Sequence, residues 1–284
     1  MRITILYIAS PSYSGSTLLS RLLHAHNQIV SVGEQQVLSP QISRMMILEE
    51  RQCTCGVSPL KNCPFWKAIE NDLLEKYQLD LQTLDLNTTD PDIFKMHNQA
   101  FFDAIHQVSG RSIIVDSSKN WNRLARLKNA GFQIIPIRLQ RNMPGVIYSG
   151  IKYGQNWLQQ CFNYWYYYQK LYAITGPDIP FIRYEPLVQQ PQKELSILMR
   201  QLTLNFEEKQ LNWAAVPNHY IGGNPMRYQK DSQIRIDDTW KRELPWWKKI
   251  IIGCAMLFCR LPDVWQFALF SSLSKTKKVL NKWF

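Results

Sequence analysis

Between an apolar run and a helix-patterned stretch lies Ser10-Pro11-Ser12-Tyr13-Ser14-Gly15-Ser16-Thr17. Small residues let a backbone approach an anion closely. At the start of a helix, bare N–H groups and the positive helix end face whatever docks there. The hydroxyls of Ser12, Ser14, Ser16 and Thr17 add side-chain donors, so the chemistry on offer is anion binding. A tight turn without a ligand is the competing reading. Gly15 is followed by Ser16 where the Walker A pattern of nucleoside triphosphatases has lysine, which weighs against an ATPase or kinase. A second anion clamp is suggested at Arg141, in Leu139-Gln140-Arg141-Asn142-Met143-Pro144, with Ser149 eight residues further on. A planar guanidinium grips two oxygens at once and a helix hydroxyl completes the grip. Taken alone, Arg141 also reads as the partner of a surface carboxylate.

Cysteines form the other conspicuous cluster: Cys53-Thr54-Cys55-Gly56, then Cys63-Pro64-Phe65-Trp66. Three ligands make an incomplete zinc site, and a fourth would have to come from far along the chain. A disulfide and a plain cysteine-bearing loop are the alternatives, and no metal is expected. Cys161, Cys254 and Cys259 stand among apolar residues and read as core. His219 reads either as a structural histidine or as an assistant to a catalytic base.

The elements that must position these groups follow from pattern. Ile3 to Ala9 is a buried strand, and Thr17 to His26 a helix with Leu18, Leu19, Leu22 and Leu23 on one face. Helices are expected over 36–51, 65–77 and 92–108, with Asn87-Thr88-Thr89-Asp90-Pro91 as a turn or N-cap signal. Then 112–115 reads as a strand, 120–130 as a helix and 132–139 as a strand. A helix opens near Pro144, a long aromatic helix runs over 157–175, and 180–184 is a last strand. The Trp165-Tyr166-Tyr167-Tyr168 run on that long helix reads as packing, not as a nucleobase platform. Strands separated by helices predict an α/β fold of P-loop type, three layers deep. Its central parallel sheet has four or five strands flanked by helices. One domain over 1–284 is the economical reading, with a helical, cysteine-containing insertion over about 36–110 and a helical tail over about 240–284.

Thirty-three Lys and Arg against twenty-two Asp and Glu leave a net charge of +11, which suits a polyanionic ligand or an anionic surface. A solvated basic surface accounts for the charge equally well. The first apolar run is short, β-branched and without a cleavage site, and no stretch reaches the roughly eighteen apolar residues of a membrane span. The expected location is therefore cytoplasmic. Trp246-Trp247-Lys248-Lys249 and the Lys275–Phe284 end interleave basic and aromatic residues. Two readings compete for this tail: a peripheral contact with anionic membrane, and a helix packed on the core.

The combination Tyr-Ser-Gly-Ser-Thr-Leu-Leu, Ala25-His26-Asn27 and Ser31-Val32-Gly33-Glu34 resembles sulfotransferases that use 3′-phosphoadenosine-5′-phosphosulfate (PAPS). It is most similar to the bacterial branch related to tyrosylprotein sulfotransferases. The similarity continues through the cysteine segments, Val115-Asp116-Ser117-Ser118-Lys119, the Arg141 region, Arg183-Tyr184-Glu185 and Gly223-Asn224-Pro225-Met226-Arg227, covering roughly residues 1–245 in order.

That resemblance implies specific roles. Residues 12–17 would bind the 5′-phosphosulfate, and Arg141 with Ser149 the 3′-phosphate. Glu34 would deprotonate an acceptor hydroxyl, with a helix-start carboxylate as the other reading. Lys119 would stabilise the leaving group, or else open the following helix from the solvent side. Tyr184 would hydrogen-bond the donor or serve as a core aromatic. Asn224 and Arg227 would sit in a lid over the nucleotide, or in a turn-rich surface loop. Many relatives have Lys or Arg where this chain has Tyr13, and a phenol brings no charge. The expected partner is a hydroxyl-bearing acceptor: glycan, lipid, small alcohol or tyrosine. No nucleic acid is expected. A P-loop small-molecule kinase and a catalytically lapsed basic binding module are the alternatives.

Overall fold

The computed structural model describes residues 2–39 and 48–258. They fall into two compact units, one of residues up to Arg141 together with Tyr167–Ile236, the other of Asn142–Tyr166 together with residues from Asp237 on.

The first unit is built on five parallel strands: β1 Thr4–Ala9, β2 Ile29–Ser31, β3 Ile113–Asp116, β4 Ile134–Gln140 and β5 Phe181–Arg183. Their order across the sheet is β2-β3-β1-β4-β5, and every adjacent pair is parallel. All five C-terminal ends therefore lie along one edge. β1 sits between β3 and β4, the point at which the chain winds outward in both directions and where open α/β sheets bind ligands. The Ile5–Ala9 run is wholly buried, as a strand covered on both faces requires.

After β1 the chain turns into α1, Ser16–His24. Leu18, Leu19, Leu22 and Leu23 of α1 are buried with Leu6 and Ile8 of β1 and Ile137 and Leu139 of β4. Burying a leucine in this way contributes roughly 1.5–3 kcal/mol. The same layer holds α7, Tyr184–Gln189, and α8, Pro191–Gln201. On the other side of β1, the Tyr7 hydroxyl donates to the Asn120 carbonyl (2.8 Å) and accepts from the Asn120 N–H (3.0 Å). Asn120 in turn caps α4, Trp121–Asn129. The remaining helices of this unit include α2, Pro64–Tyr77, and α3, Pro91–Ser109. The predicted cap of α3 is present: Asp90 accepts from the Asp92 and Ile93 N–H groups (2.9 and 3.0 Å), with Pro91 as the first helical residue.

In the second unit, α5 spans Met143–Lys152, α9 Trp240–Glu243 and α10 Trp246–Phe258. The long helix α6, Trp157–Thr175, passes from this unit into the first. Tyr164, Tyr167 and Tyr168 are buried, and the Tyr168 hydroxyl donates to the Leu139 carbonyl at 3.0 Å. Within the 165–168 run Tyr167 and Tyr168 are buried, while Trp165 and Tyr166 are half-buried. Trp246, Trp247, Ile250 and Ile251 are exposed on α10. No helix among the described residues is long and apolar enough to cross a membrane.

Several sequence expectations need correction. The sheet contains β2, which no pattern of residues announced. Gln35–Val37 forms a 3₁₀ turn ending at Leu38 instead of opening a helix, and 40–47 of that expected helix lie outside the described residues. Tyr184 opens α7 instead of ending a strand. Pro144 is the second residue of α5, still within the turn whose N–H groups lack intrahelical acceptors. Cys254 is exposed and Cys161 half-buried, so neither is a core residue. Cys259 and the Lys275–Phe284 segment lie outside the described residues.

Candidate functional site

Each strand of the sheet delivers candidate residues at its C-terminal end. β1 leads into Ser10–Gly15, β2 into Gly33-Glu34, β3 into Ser117-Ser118-Lys119, β4 into Arg141 and β5 into Tyr184.

In the first loop Tyr13 (φ 66°) and Gly15 (φ 91°) are left-handed, with Ser14 between them. Alternation of this kind makes successive N–H groups converge on one point, a concavity suited to an anion. Gly15 is the N-cap of α1 and provides no side-chain acceptor to the helix's first N–H groups. The Ser10 and Ser14 hydroxyls are buried without a hydrogen-bond partner. A buried, unsatisfied hydroxyl costs about 1–3 kcal/mol, so a hydrogen-bond partner supplied at these two groups would be stabilising. Ser16 and Thr17 are buried at the helix start, while Ser12 is exposed at the loop's tip.

Arg141 is buried, not a surface arginine. Its Nη1 donates to the Tyr13 carbonyl at 2.9 Å, and its guanidinium lies 4.6 Å from the centre of the Tyr184 ring. Arg141 thus braces the loop that was expected to bind the anion. Tyr184 closes the other side of it. A Cβ built on Gly15 would come within 2.4 Å of the Tyr184 ring, so glycine is required both by its φ and by its neighbour. Gly15→Ala is expected to cost roughly 1–3 kcal/mol. An unchanged urea midpoint for that variant would contradict the packing of Tyr184 on the loop. Ser149 is buried on α5, in the second unit.

Glu34 and Lys119 are brought together by backbone clamps between the β2 and β3 exits. Gln35 Nε2 donates to the Val115 carbonyl (3.1 Å), Gln36 N–H to Ser118 Oγ (3.0 Å) and Gln36 Nε2 to the Ser118 carbonyl (3.0 Å). Lys119 itself is left-handed (φ 62°) and directly precedes Asn120, which Tyr7 holds at both backbone atoms. The result is an ion pair, Lys119 Nζ donating to Glu34 Oε1, with the Ser117 carbonyl 3.4 Å from the same ammonium. Glu34 makes no capping bond to the turn that follows it, and the Lys119 ammonium faces Glu34 and not solvent alone.

The predicted lid segment packs against this pair. A Cβ on Gly222 would lie 2.8 Å from Glu34 Cβ. A Cβ on Gly223 would lie 3.2 Å from Thr17 Oγ1 and 3.9 Å from Glu34 Oε1, so the Glu34 carboxylate and the start of α1 flank one small space. The Asn224 N–H donates to Thr17 Oγ1 (3.4 Å), and the Asn224 side chain caps the turn Pro225–Tyr228. Arg227 folds back onto this segment, donating to the Gly223 carbonyl and to the Tyr228 hydroxyl (3.2 Å). α1 anchors the far end: Arg21 Nη1 donates to the carbonyls of Met226 (3.0 Å) and Gln229 (2.8 Å) while stacking over Trp213. Arg21 carries no signal in the sequence, because the carbonyls it holds lie about two hundred residues away. His219 does not assist Glu34; its Nδ1 lies against cysteine sulfurs.

His24 ties the same parts together. It is buried, accepts from the Ser31 N–H at Nδ1 (2.9 Å) and donates from Nε2 to the Pro217 carbonyl (2.9 Å). That pattern requires the neutral ring, and burial pushes its pKa down to about 4 from the usual 6.5, with Arg111, His219 and Arg21 acting in the same direction. Below pH 6.5 the unfolded chain takes up a proton that the folded chain refuses. Stability contributed by neutral His24 is therefore full above about pH 6.5 and is lost as the pH falls toward 4, by about 3 kcal/mol in all. Urea denaturation at pH 7 and pH 5 checks this: His24→Gln should flatten the decline, and an unaltered pH dependence would contradict it.

No protein-family model matches the chain, and no curated protein matches it. Solved structures do. The sulfotransferase domain from the Synechococcus PCC 7002 olefin synthase superposes with a TM-score of 0.57 at 18% identity, covering 92% of this chain and 96% of that one. The sulfotransferase domain from the curacin biosynthetic pathway gives 0.56 at 20% identity, covering 92% and 99%. At such identities the likeness is one of fold: a P-loop-type α/β architecture shared with sulfotransferase domains.

Proposed function

We propose that this chain is a PAPS-dependent sulfotransferase, in the bacterial branch related to tyrosylprotein sulfotransferases. It would move a sulfuryl group to an acceptor hydroxyl and release 3′,5′-adenosine bisphosphate. The observation that carries this reading is the Glu34–Lys119 pair, set at the C-terminal edge of the sheet beside a loop with two unpartnered buried hydroxyls. A phosphosulfate fits that loop chemically: converging N–H groups, a helix start, and the hydroxyls of Ser14, Ser16 and Thr17.

Sulfuryl transfer resembles phosphoryl transfer, with a trigonal SO₃ passing between in-line oxygens. The acceptor oxygen forms the new S–O bond as the bond from sulfur to the 5′-phosphate oxygen breaks. The acceptor's proton goes to Glu34, whose carboxylate lies next to the start of α1. The Lys119 ammonium has three donors, two of which meet Glu34 and Ser117, and it supplies the cation for charge building on the departing oxygen. Arg141 holds the loop in shape through the Tyr13 carbonyl and supplies a guanidinium for the 3′-phosphate. No metal takes part in these steps. Glycan, lipid, small-alcohol and tyrosine hydroxyls all suit the proposed acceptor site.

Incubation with PAPS and a mixed panel of such acceptors, followed by chromatography of the nucleotides, tests the reading. Acceptor-dependent release of adenosine bisphosphate is expected. ADP formation from ATP–Mg²⁺ without turnover of PAPS would replace the reading with a kinase, and binding of bisphosphate without any turnover would replace it with a lapsed enzyme.

A further inference from the structure

The cysteine cluster, which took no part in the site above, gains in the fold the ligand that it lacked in sequence. The Sγ atoms of Cys53, Cys55 and Cys63 and the Nδ1 of His219 all lie within 4.8 Å of one another. Cys63 Sγ is 3.2 Å and Cys53 Sγ 3.6 Å from His219 Nδ1, and Cys55 Sγ is 3.6 Å from Cys63 Sγ. With Zn–S near 2.3 Å and Zn–N near 2.0–2.1 Å, the edges of a tetrahedral site are about 3.8 Å for S···S and about 3.6 Å for S···N. The observed separations bracket those values, and the widest need contract by only about 1 Å.

We propose that Cys53, Cys55, Cys63 and His219 bind one Zn²⁺ in a closed, four-coordinate structural site.

The surroundings are built for it. Gly56 (φ 98°) donates its N–H to the Cys53 carbonyl (2.9 Å), and the Cys53 N–H donates to Val57 (2.8 Å), forming a tight knuckle from which two sulfurs emerge. Cys63 is the N-cap of α2, so its sulfur leaves the backbone at the start of that helix. The Phe65 ring stacks on His219 with centroids 4.5 Å apart and planes within 6°, which fixes the imidazole's orientation. Thr54, between two of the ligands, donates to the Asn218 carbonyl (2.7 Å) and accepts from the Tyr220 N–H (3.0 Å). It thereby holds the backbone on both sides of His219.

A disulfide is the rival. A Cys55–Cys63 bond would require the sulfurs to close from 3.6 Å to about 2.05 Å, and it would leave Cys53 and His219 facing each other without a role. Four protein ligands leave no open position, so the metal's function is to clasp two segments more than 150 residues apart in sequence. The clasped strap runs from His219 through Ile221, whose N–H donates to the Val32 carbonyl (2.9 Å), to Gly222 against Glu34. Zinc at this site would therefore set the position of the strap over the carboxylate. The inference stands on the four ligands and does not depend on the reaction assigned to the chain.

The experiment is metal analysis of the full-length chain, reduced, supplied with zinc, and desalted into buffer without metal. About one zinc per chain is expected, and cobalt in its place should give the visible absorption and thiolate charge-transfer band of a tetrahedral site. Cys55→Ser, at the exposed ligand, should fold, lose the metal to a chelator at least about tenfold faster, and weaken the charge-transfer band. Wild-type protein that takes up less than about 0.1 zinc and gives no tetrahedral cobalt spectrum would overturn the proposal. So would a thiol count showing a Cys55–Cys63 disulfide that persists in the active protein. If Cys55→Ser fails to fold, the wild-type stoichiometry and cobalt spectrum decide alone.

Discussion

Lys119→Ala is expected to lower the rate of sulfuryl transfer about a hundred- to a thousand-fold, the loss seen when a single stabilising donor is removed from a developing negative charge. Tyr13→Phe should change it by less than about fivefold, because a phenol contributes at most one neutral hydrogen bond. The absence of a charge on Tyr13 makes the contrast informative. The cation proposed for the departing oxygen is Lys119, reached through the β3 exit and held beside Glu34. Alanine suffers the same left-handed strain at position 119 as lysine does, so the variant isolates the ammonium group. Turnover at saturating PAPS measures both variants. A larger loss in Tyr13→Phe would reverse the assignment.

The largest expected effect on stability is at Asp116. Its carboxylate accepts from Arg123 Nε at 2.8 Å, both side chains are fully buried, and Arg123 also donates to Asn98 Oδ1 (2.8 Å) and the Leu86 carbonyl. Asp116 further accepts from the Ser118 N–H (2.9 Å) and hydroxyl. Asp116→Ala would strand the guanidinium in the core, at a cost of about 3–5 kcal/mol. Removing both charges, as Asp116→Ala with Arg123→Met, should cost less than removing one, since no uncompensated charge remains. Urea midpoints of the three proteins check the order. A single variant no less stable than wild type would show the pair to be dispensable. Because Ser118 anchors Gln36, the same variant should also loosen Glu34 from Lys119.

The framework of this protein could be read from its sequence wherever a signal is local. The buried run 4–9, the leucine face of α1, the Asp90 cap and the helix 157–175 all follow from neighbours within a few residues. β2 carries no sequence signal, because three residues are too few to show a period. Glu34 and Lys119 were singled out by their resemblance to a family, but their contact, 85 residues apart, depends on β2 and β3 lying side by side. Likewise Tyr7 looked like one more apolar strand residue, although its hydroxyl fixes the backbone that carries Lys119. The fourth zinc ligand was invisible for the same reason. His219 is an isolated histidine in sequence and a member of a cluster only once the strap folds over β2. Gly222 and Gly223 were legible as turn residues, but not as the gap into which Glu34 fits.

Binding of adenosine 3′,5′-bisphosphate tests the central claim most directly. At about a hundred times its dissociation constant a ligand adds roughly 2.7 kcal/mol of stability, which for a chain of this size raises the melting temperature by about 4–5 °C. Such a rise is predicted for the wild type, with little or none in Arg141→Ala, whose loop loses the bond to Tyr13. ATP–Mg²⁺ should leave the melting temperature nearly unchanged. No shift with the bisphosphate in the wild type, or a larger one with ATP–Mg²⁺, would contradict the assignment of the first loop to PAPS.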